Sequence, residues 1–252
     1  MTKLIINADD FGYSKGVNLG IIEAYQNGIV TSATLMTNMP GARHAAALAL
    51  QNPNLGVGIH LVLDCGRPVN ENVPSLINEK GDFHRANALI EVAELVDIEK
   101  EYTSQIEKFL SFGLSPTHLD SHHHLHGHEK IFPIVSKLAR KYHLPVRKVS
   151  ADLQHSSNIE LSTVQHFIPD FYGDSLTAEH LLELMDQSLS YESAELMCHP
   201  AYIDEPLLTG SSYALQRVRE LAILTDNSVR SAVAEKGVEL VTYKEAFNQS
   251  FV

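Results

Sequence analysis

The chain has 252 residues, 44% of them hydrophobic, and its 19 basic residues face 31 acidic ones for a formal charge of −12. That length buries a large core in one α/β barrel or two small domains, and no low-complexity run points to disorder. The acidic balance and the scattered lysines and arginines lack the electrostatic footprint of a nucleic-acid binder or an anionic-membrane patch, so neither is an expected partner.

The N-terminus reads "MTKLIINADDFG", with an apolar run too short for a signal-peptide core or a membrane span. Cys65 and Cys198 are too few for a disulfide framework. A cytoplasmic location is the expectation. "LIINA" (4–8) reads as a buried strand, and Ser14 as the N-cap of a helix ending near Gly28. "IVTSATLMT" (29–37) is β-branched and strand-like, "GARHAAALALQN" (41–52) an alanine-rich helix, and "GVGIHLVL" (56–63) a third strand. Residues 64–96, with Gly66, Pro68, Pro74 and Gly81, read as a loop with a short helix.

Asp97 is the expected cap of "IEKEYTSQIEKFLSFG", where Ile98, Tyr102, Ile106 and Phe109 keep helical spacing up to Gly113. "PTHLDS" (116–121) reads as a fourth strand that runs into a histidine cluster, and "KIFPIVSKLARKY" (130–142) as an amphipathic helix with Pro133 in its first turn. "LPVRKV" (144–149) reads as strand five. Within 150–172 the pattern is weak, with "QHFIPDFY" the best strand candidate. "TAEHLLELMDQSL" (177–189) is a helix, "AELMCHP" (194–200) a strand, 211–236 largely helical, and "GVELVTY" (237–243) the last strand.

Seven or eight β–α alternations without a boundary-like linker predict a single domain over 1–252. Its expected fold is an α/β barrel of seven or so parallel strands, with an open doubly wound sheet as the alternative. Either fold places ligands at the carboxyl ends of the strands. There the chain puts Asp9 and Asp10, His60, the stretch from Asp120 to His126, Arg147 and His199.

Each of these has a plainer reading. An Asp-Asp pair is commonly a turn with an N-cap, a histidine in an apolar run is commonly a hydrogen-bonded core residue, and His199 before Pro200 suits a rigid turn. As a set they carry more. One carboxylate and two imidazoles make a facial triad with open coordination positions, a second carboxylate suits a general base, and a separate histidine suits a general acid. His199 is expected to work from the ordinary imidazole pKa of about 6.5.

"NADDFG", "SKGVNLGIIEAYQNGIVTSATLM", "GIHL", "PTHLDSHHHLH" and "MCHPAY", in this order, resemble the YdjC-like carbohydrate deacetylases, and within them the chitooligosaccharide (diacetylchitobiose) deacetylases. The resemblance implies a distorted, NodB-type (β/α) barrel and an Asp-His-His metal site. In it Asp10, His60 and His123 bind the metal, Asp9 is the base and His199 the acid. NodB-type enzymes take both histidines from one His-Ser/Thr-x-x-His motif, whereas here His60 stands on an earlier strand. His122, His123, His124 and His126 therefore compete for the second imidazole position. A strand continuing regularly would group His118, Asp120, His122 and His124 on one face, so choosing His123 requires the strand to end by Ser121. Asp120, His122, His126 and Arg147 are then candidates for holding the ligands or the sugar.

The implied reaction is hydrolysis of an N-acetyl group on N-acetylglucosamine units of short chitooligosaccharides, with one divalent ion. The resemblance favours Mg²⁺, while ligand softness favours Zn²⁺, Mn²⁺, Fe²⁺ or Co²⁺. The expected partner is a small oligosaccharide, and a homodimer is the base-rate expectation. The rivals are another metal-dependent amidohydrolase or phosphoesterase barrel, and a non-catalytic metal- or sugar-binding protein. The first commonly opens with His-x-His on strand one, and the second leaves Asp9, His60 and His199 without a role.

Overall fold

The structure, a computed structural model, describes residues 1–150, 153 and 161–247. In chain order it contains β1 (Thr2–Phe11), α1 (Lys15–Gln26), β2 (Ser32–Leu35), α2 (Ala42–Gln51), β3 (Gly56–Leu61), α3 (Ala86–Val92), α4 (Leu95–Ser111), β4 (Leu119–Ser121) and α5 (Phe132–Tyr142). There follow β5 (His166–Ile168), α6 (Ala178–Ser188), β6 (Ser193–Cys198), α7 (Glu205–Gly210), α8 (Leu215–Leu224), α9 (Asn227–Glu235), β7 (Val238–Leu240) and α10 (Tyr243–Ala246). Ser14 caps α1 by accepting from the Val17 N–H, and Thr177 caps α6 from the His180 N–H.

The seven named strands pair in parallel, in the spatial order β4-β3-β2-β1-β6-β5, with β7 against the start of β1. The ten-residue β1 is the axis of the sheet. It runs along β6 over residues 3–8, and along β7 and then β2 on its other edge. Burial on both faces accounts for the near-continuous apolar sequence of β1, β3 and β6. Leu4, Ile6 and Ala8 enter the main core, whereas Ile5 faces a smaller cluster with Val164, Val241 and Tyr243. The sheet is thus curled around an interior of its own, as in a partial barrel.

Two local expectations are corrected. Asp97 does not cap α4, which starts at Leu95 with Glu94 as its cap residue; Asp97 sits in the first turn and accepts from the Ser75 N–H and hydroxyl. The expected strand 144–149 reduces to one bridge, Val146 with Leu119, flanked by Leu119 N–H to Pro145 O and Arg147 N–H to Leu119 O, both 2.9 Å. Pro145 has no N–H to offer a ladder, which limits the pairing. The expectation of a weakly patterned region at 150–172 is met by β5 at its C-terminal end; 151, 152 and 154–160 lie outside the described residues. Among the described residues no helix is long and apolar enough to cross a membrane.

Candidate active site

Adjacent residues of a strand point to opposite faces, so Asp9 and Asp10 cannot share a site on a regular β1. The structure resolves this with an irregularity: the pairing with β2 shifts register between Ala8 and Phe11, and Asp10 takes φ +68°. Aspartate tolerates this left-handed conformation better than most residues. Asp9 keeps the inward direction of Ile5 and Asn7, with the Asn7 amide donating to it at 2.9 Å. The kink brings Asp10 into the same cleft, of about 810 Å³, whose walls also include His60, His122, His123 and His199. That is an ordinary size for a small-ligand site.

Asp10 Oδ1 lies 3.4 Å from His60 Nε2 and 3.1 Å from His122 Nδ1. One ligand atom from each of these three residues lies within 4.8 Å of the others. His60 is aimed by its other nitrogen, since Nδ1 is 2.7 Å from Asp120 Oδ1 and 3.2 Å from the Thr34 hydroxyl. A carboxylate behind the imidazole, with Nε2 presented to the cleft, is the pattern that orients metal-binding histidines. Burial lowers the His60 pKa, but the Asp120 charge and the hydrogen bonds that His60 donates to Asp10 and Asp120 outweigh it and raise it to about 10.

The expected set contains His123; the structure puts His122 beside Asp10 and His60 instead. β4 ends at Ser121, whose extended backbone leads into a turn over His122–Gly127; His122 opens that turn facing the cleft and bonds to Asp10, while Asp120 stays behind His60. Only then do His123 and His124, at φ +51° and +54°, coil the chain away. His123 stands at the rim, its Nδ1 2.6 Å from Asp64 Oδ2 and its side chain 63% exposed. His124 meets Phe167 edge-on, and the buried His126 bonds to the Ser121 hydroxyl at 2.7 Å. His118 is outside the cleft altogether: its ring stacks on Tyr243 and fills the space that a Cβ on Gly58 would need.

Arg147 lies fully buried behind Asp9. Its Nη1 and Nη2 fork onto the two Asp9 oxygens at 2.7 and 2.6 Å, while Nη2 is 3.0 Å from Asp120 and Nε 2.8 Å from Glu195. Burial pushes the Asp9 carboxyl up, but Arg147, with smaller help from His60 and His199, overcomes it and holds Asp9 well below the usual carboxylate range. Asp9 is therefore ionised throughout the working range. Removing this guanidinium leaves three buried carboxylates facing one another. Arg147→Met is expected to destabilise the fold by about 3–5 kcal/mol, read as a lowered urea midpoint, with Arg147→Lys intermediate. An unchanged midpoint for Arg147→Met would show that the carboxylates do not depend on it.

His199 follows β6 on a turn that packs against α1. A Cβ on Gly20 would come within 2.4 Å of Ala201 Cα, and one on Gly16 within 2.5 Å of Tyr202 O, so the glycines of "SKGVNLG" set how close this turn approaches. The His199 N–H donates to Glu220, which also accepts from the Tyr213 hydroxyl at 2.6 Å. His199 Nδ1 is buried without a hydrogen-bond partner among the described residues, 4.0 Å from Glu220 Oε1. The expected ordinary pKa does not hold here: burial, and next the Arg217 charge, lower His199 to about 3. Burial raises Glu220 to about 8 against the hydrogen bonds from Tyr213 and His199. Arg217 reaches Asp10 Oδ2 at 2.6 Å. Sequence reasoning missed Thr34, Asp64, Glu195, Tyr213, Arg217 and Glu220. Glu195 alone left a sign, as a carboxylate inside an otherwise apolar strand.

A family model described as YdjC-like protein matches residues 3–235. A carbohydrate deacetylase of Geobacillus stearothermophilus is 57% identical over 243 residues, 96% of this chain and 97% of the relative. A chitooligosaccharide deacetylase of Proteus mirabilis is 41% identical, covering 96% and 98%. A crystal structure of an Enterococcus faecalis protein superposes with a TM-score of 0.92 at 37% identity, covering 97% of this chain and 98% of that one. A family 4 acetyl xylan esterase of Clostridium thermocellum, solved with a cobalt ion, gives a TM-score of 0.52 at 13% identity over 98% and 91%, a likeness of fold alone. The curled parallel sheet is thus the partial barrel of the NodB-type esterases, and by sequence the chain belongs to the YdjC-like protein family.

Proposed function

We propose that the protein is a divalent-metal-dependent hydrolase that removes the acetyl group from N-acetylglucosamine units of short chitooligosaccharides such as diacetylchitobiose. The observation that carries this reading is the convergence of Asp10, His60 and His122, with Asp9 and His199 flanking them on separate strands. The names of the relatives support the substrate class. The donor set fits a cation: one carboxylate and two imidazoles, the first imidazole backed by Asp120, around a common point. Two imidazoles favour Zn²⁺, Mn²⁺ or Co²⁺ on softness, and Mg²⁺ is the alternative carried by the family resemblance.

Asp10, His60 and His122 would hold a divalent ion, which would supply polarisation of the acetyl carbonyl and a lowered pKa for the attacking water. Asp9 accepts the proton of the attacking water, and Arg147 with Asn7 fixes the direction of its carboxylate. Its depressed pKa makes Asp9 a weak base in bulk terms, so its contribution is orientation as much as proton affinity. Attack at the carbonyl carbon forms a C–O bond; His199 protonates the amide nitrogen, the C–N bond breaks, and acetate and the glucosamine amine leave. Asp9 then returns its proton to solvent.

The test is incubation with N-acetylated chitobiose and chitotriose, with acetate assayed before chelation, after it, and after adding back Mg²⁺, Mn²⁺, Co²⁺ or Zn²⁺ one at a time. Acetate release is expected to vanish with chelator and return with one of the ions. Chelator-resistant release, or none with any of the four ions, would sink the proposal.

A further inference from the structure

The proposed chemistry gives Tyr172 no task. It follows the fully buried Phe171, yet it is 49% exposed and lines the cleft. One face of its ring is stacked on Tyr213, centroids 3.9 Å apart and planes 12° from parallel. His199 meets the same ring edge-on at 5.5 Å and 70°. The stack is braced from behind: the Tyr213 hydroxyl accepts from the Gly173 N–H at 3.1 Å and donates to Glu220, and the Arg217 guanidinium lies over the Tyr213 ring. Gly173 takes φ +93°, a conformation that suits glycine, and turns the chain directly after Tyr172. The result is an aromatic face on a fixed backing, beside the residue assigned as the acid. Such a surface loses little entropy when a ligand settles on it.

We infer that Tyr172 is the stacking platform for the hexopyranose ring that carries the reacting acetamide, an inference that rests on the deacetylation proposed above. The nitrogen that His199 protonates is bonded directly to a ring carbon of the sugar. That ring therefore has to lie beside His199, on the open side of the cleft. Asp9, Asp10, His60 and His122 take the floor, and Tyr172 flanks His199. A 2-acetamido-hexopyranoside with equatorial substituents turns a face of axial C–H bonds outward, and an aromatic ring covers such a face by apolar contact. The polar edge of the sugar stays free for the charged floor. Recognition of the ring would separate sugar amides from other acetamides.

The experiment uses the full chain with divalent metal and N,N′-diacetylchitobiose as probe, measuring affinity by calorimetry and acetate release by initial rates. Tyr172→Ala is expected to weaken Kd about tenfold and to raise KM with it, while kcat changes less. Tyr172→Phe keeps the ring and should keep most of the affinity. A Tyr172→Ala variant with the parent's Kd and KM overturns the inference, as does a loss confined to kcat. If that variant does not fold, Tyr172→Leu replaces it, and saturation-transfer NMR on the parent looks for transfer from tyrosine ring protons to the axial protons of the sugar. No transfer, or equal transfer in parent and Tyr172→Leu, likewise ends it. A parent that binds the sugar through Tyr172 but releases no acetate refutes the deacetylation and leaves the platform as a sugar-binding surface. A parent that does neither refutes both.

Discussion

His122→Ala is expected to lose the divalent ion and to drop acetate release to background, while His123→Ala keeps the ion. Both residues sit in one run of histidines, so the contrast rests on geometry alone. His122 Nδ1 shares Asp10 Oδ1 with His60 Nε2, whereas His123 is turned toward Asp64 and solvent. Even partners one step removed from a metal typically cost 10–100-fold in affinity when deleted, and a direct ligand out of three should cost more than about 100-fold. Elemental analysis after dialysis reads the loss directly. The metal-induced rise in melting temperature reads it again without activity, because an ion that binds only the folded state stabilises it in proportion to its affinity. Asp10→Ala and His60→Ala should follow His122→Ala. A His123→Ala variant that loses the ion while His122→Ala retains it would reverse the assignment.

The His122 position shows how far the sequence could be read. The alternation rule groups His118, Asp120, His122 and His124 on one face, yet the structure puts His122 beside Asp10, Asp120 behind His60, His118 against Tyr243 and His124 against Phe167; the family resemblance favoured His123. The rule also fails at Asp9 and Asp10, where a strand of alternating faces presents consecutive carboxylates, because a register shift and a positive φ are invisible in composition. The long strands were legible since burial on both faces demands continuous apolar sequence, as in β1, β3 and β6. The three-residue strands β4, β5 and β7 carry too little pattern to be bounded from sequence.

What stayed hidden is mostly the outer ring of the site. Arg217 and Glu220 are one turn apart on α8, a helix that looks like any amphipathic surface element, yet one reaches Asp10 and the other His199. Their partners lie some twenty to two hundred positions away, and nothing local marks them. Asp64, Tyr172 and Tyr213 occupy connecting segments, where polar and aromatic residues are unremarkable in a single sequence. The same closeness that hid these residues makes the acid side of the site one connected unit of Tyr172, Tyr213, Glu220 and His199.

That connection bears on the variant His199→Gln. An amide nitrogen leaves poorly unless protonated, so a variant that keeps approximate size and polarity but cannot carry the proton should lower kcat by about 10²–10⁴-fold with metal content unchanged. The buried ring, with its pKa near 3, is neutral at rest and needs a proton donor at Nδ1. Glu220 Oε1 lies 4.0 Å from that nitrogen, beyond hydrogen-bond distance, so the transfer requires a closure of about 1 Å or one bridging water. Because burial raises its pKa to about 8, Glu220 holds a proton through neutral pH and loses it as pH rises through that value. The balance is then Glu220 to His199 Nδ1 and His199 Nε2–H to the leaving nitrogen, after which Nδ1 returns its proton to Glu220 and Nε2 is reprotonated from solvent. The parent's kcat should accordingly fall above about pH 8, and not on a limb near 6.5. Glu220→Gln, neutral at every pH and unable to donate in this way, should be slow throughout and lack that limb. An acetyl ester, whose leaving oxygen needs less protonation, should recover part of the rate in both variants. A His199→Gln enzyme with the parent's kcat on the amide would remove the acid assignment; a parent profile flat across pH 8, with His199 still essential, would remove Glu220 as the proton's source.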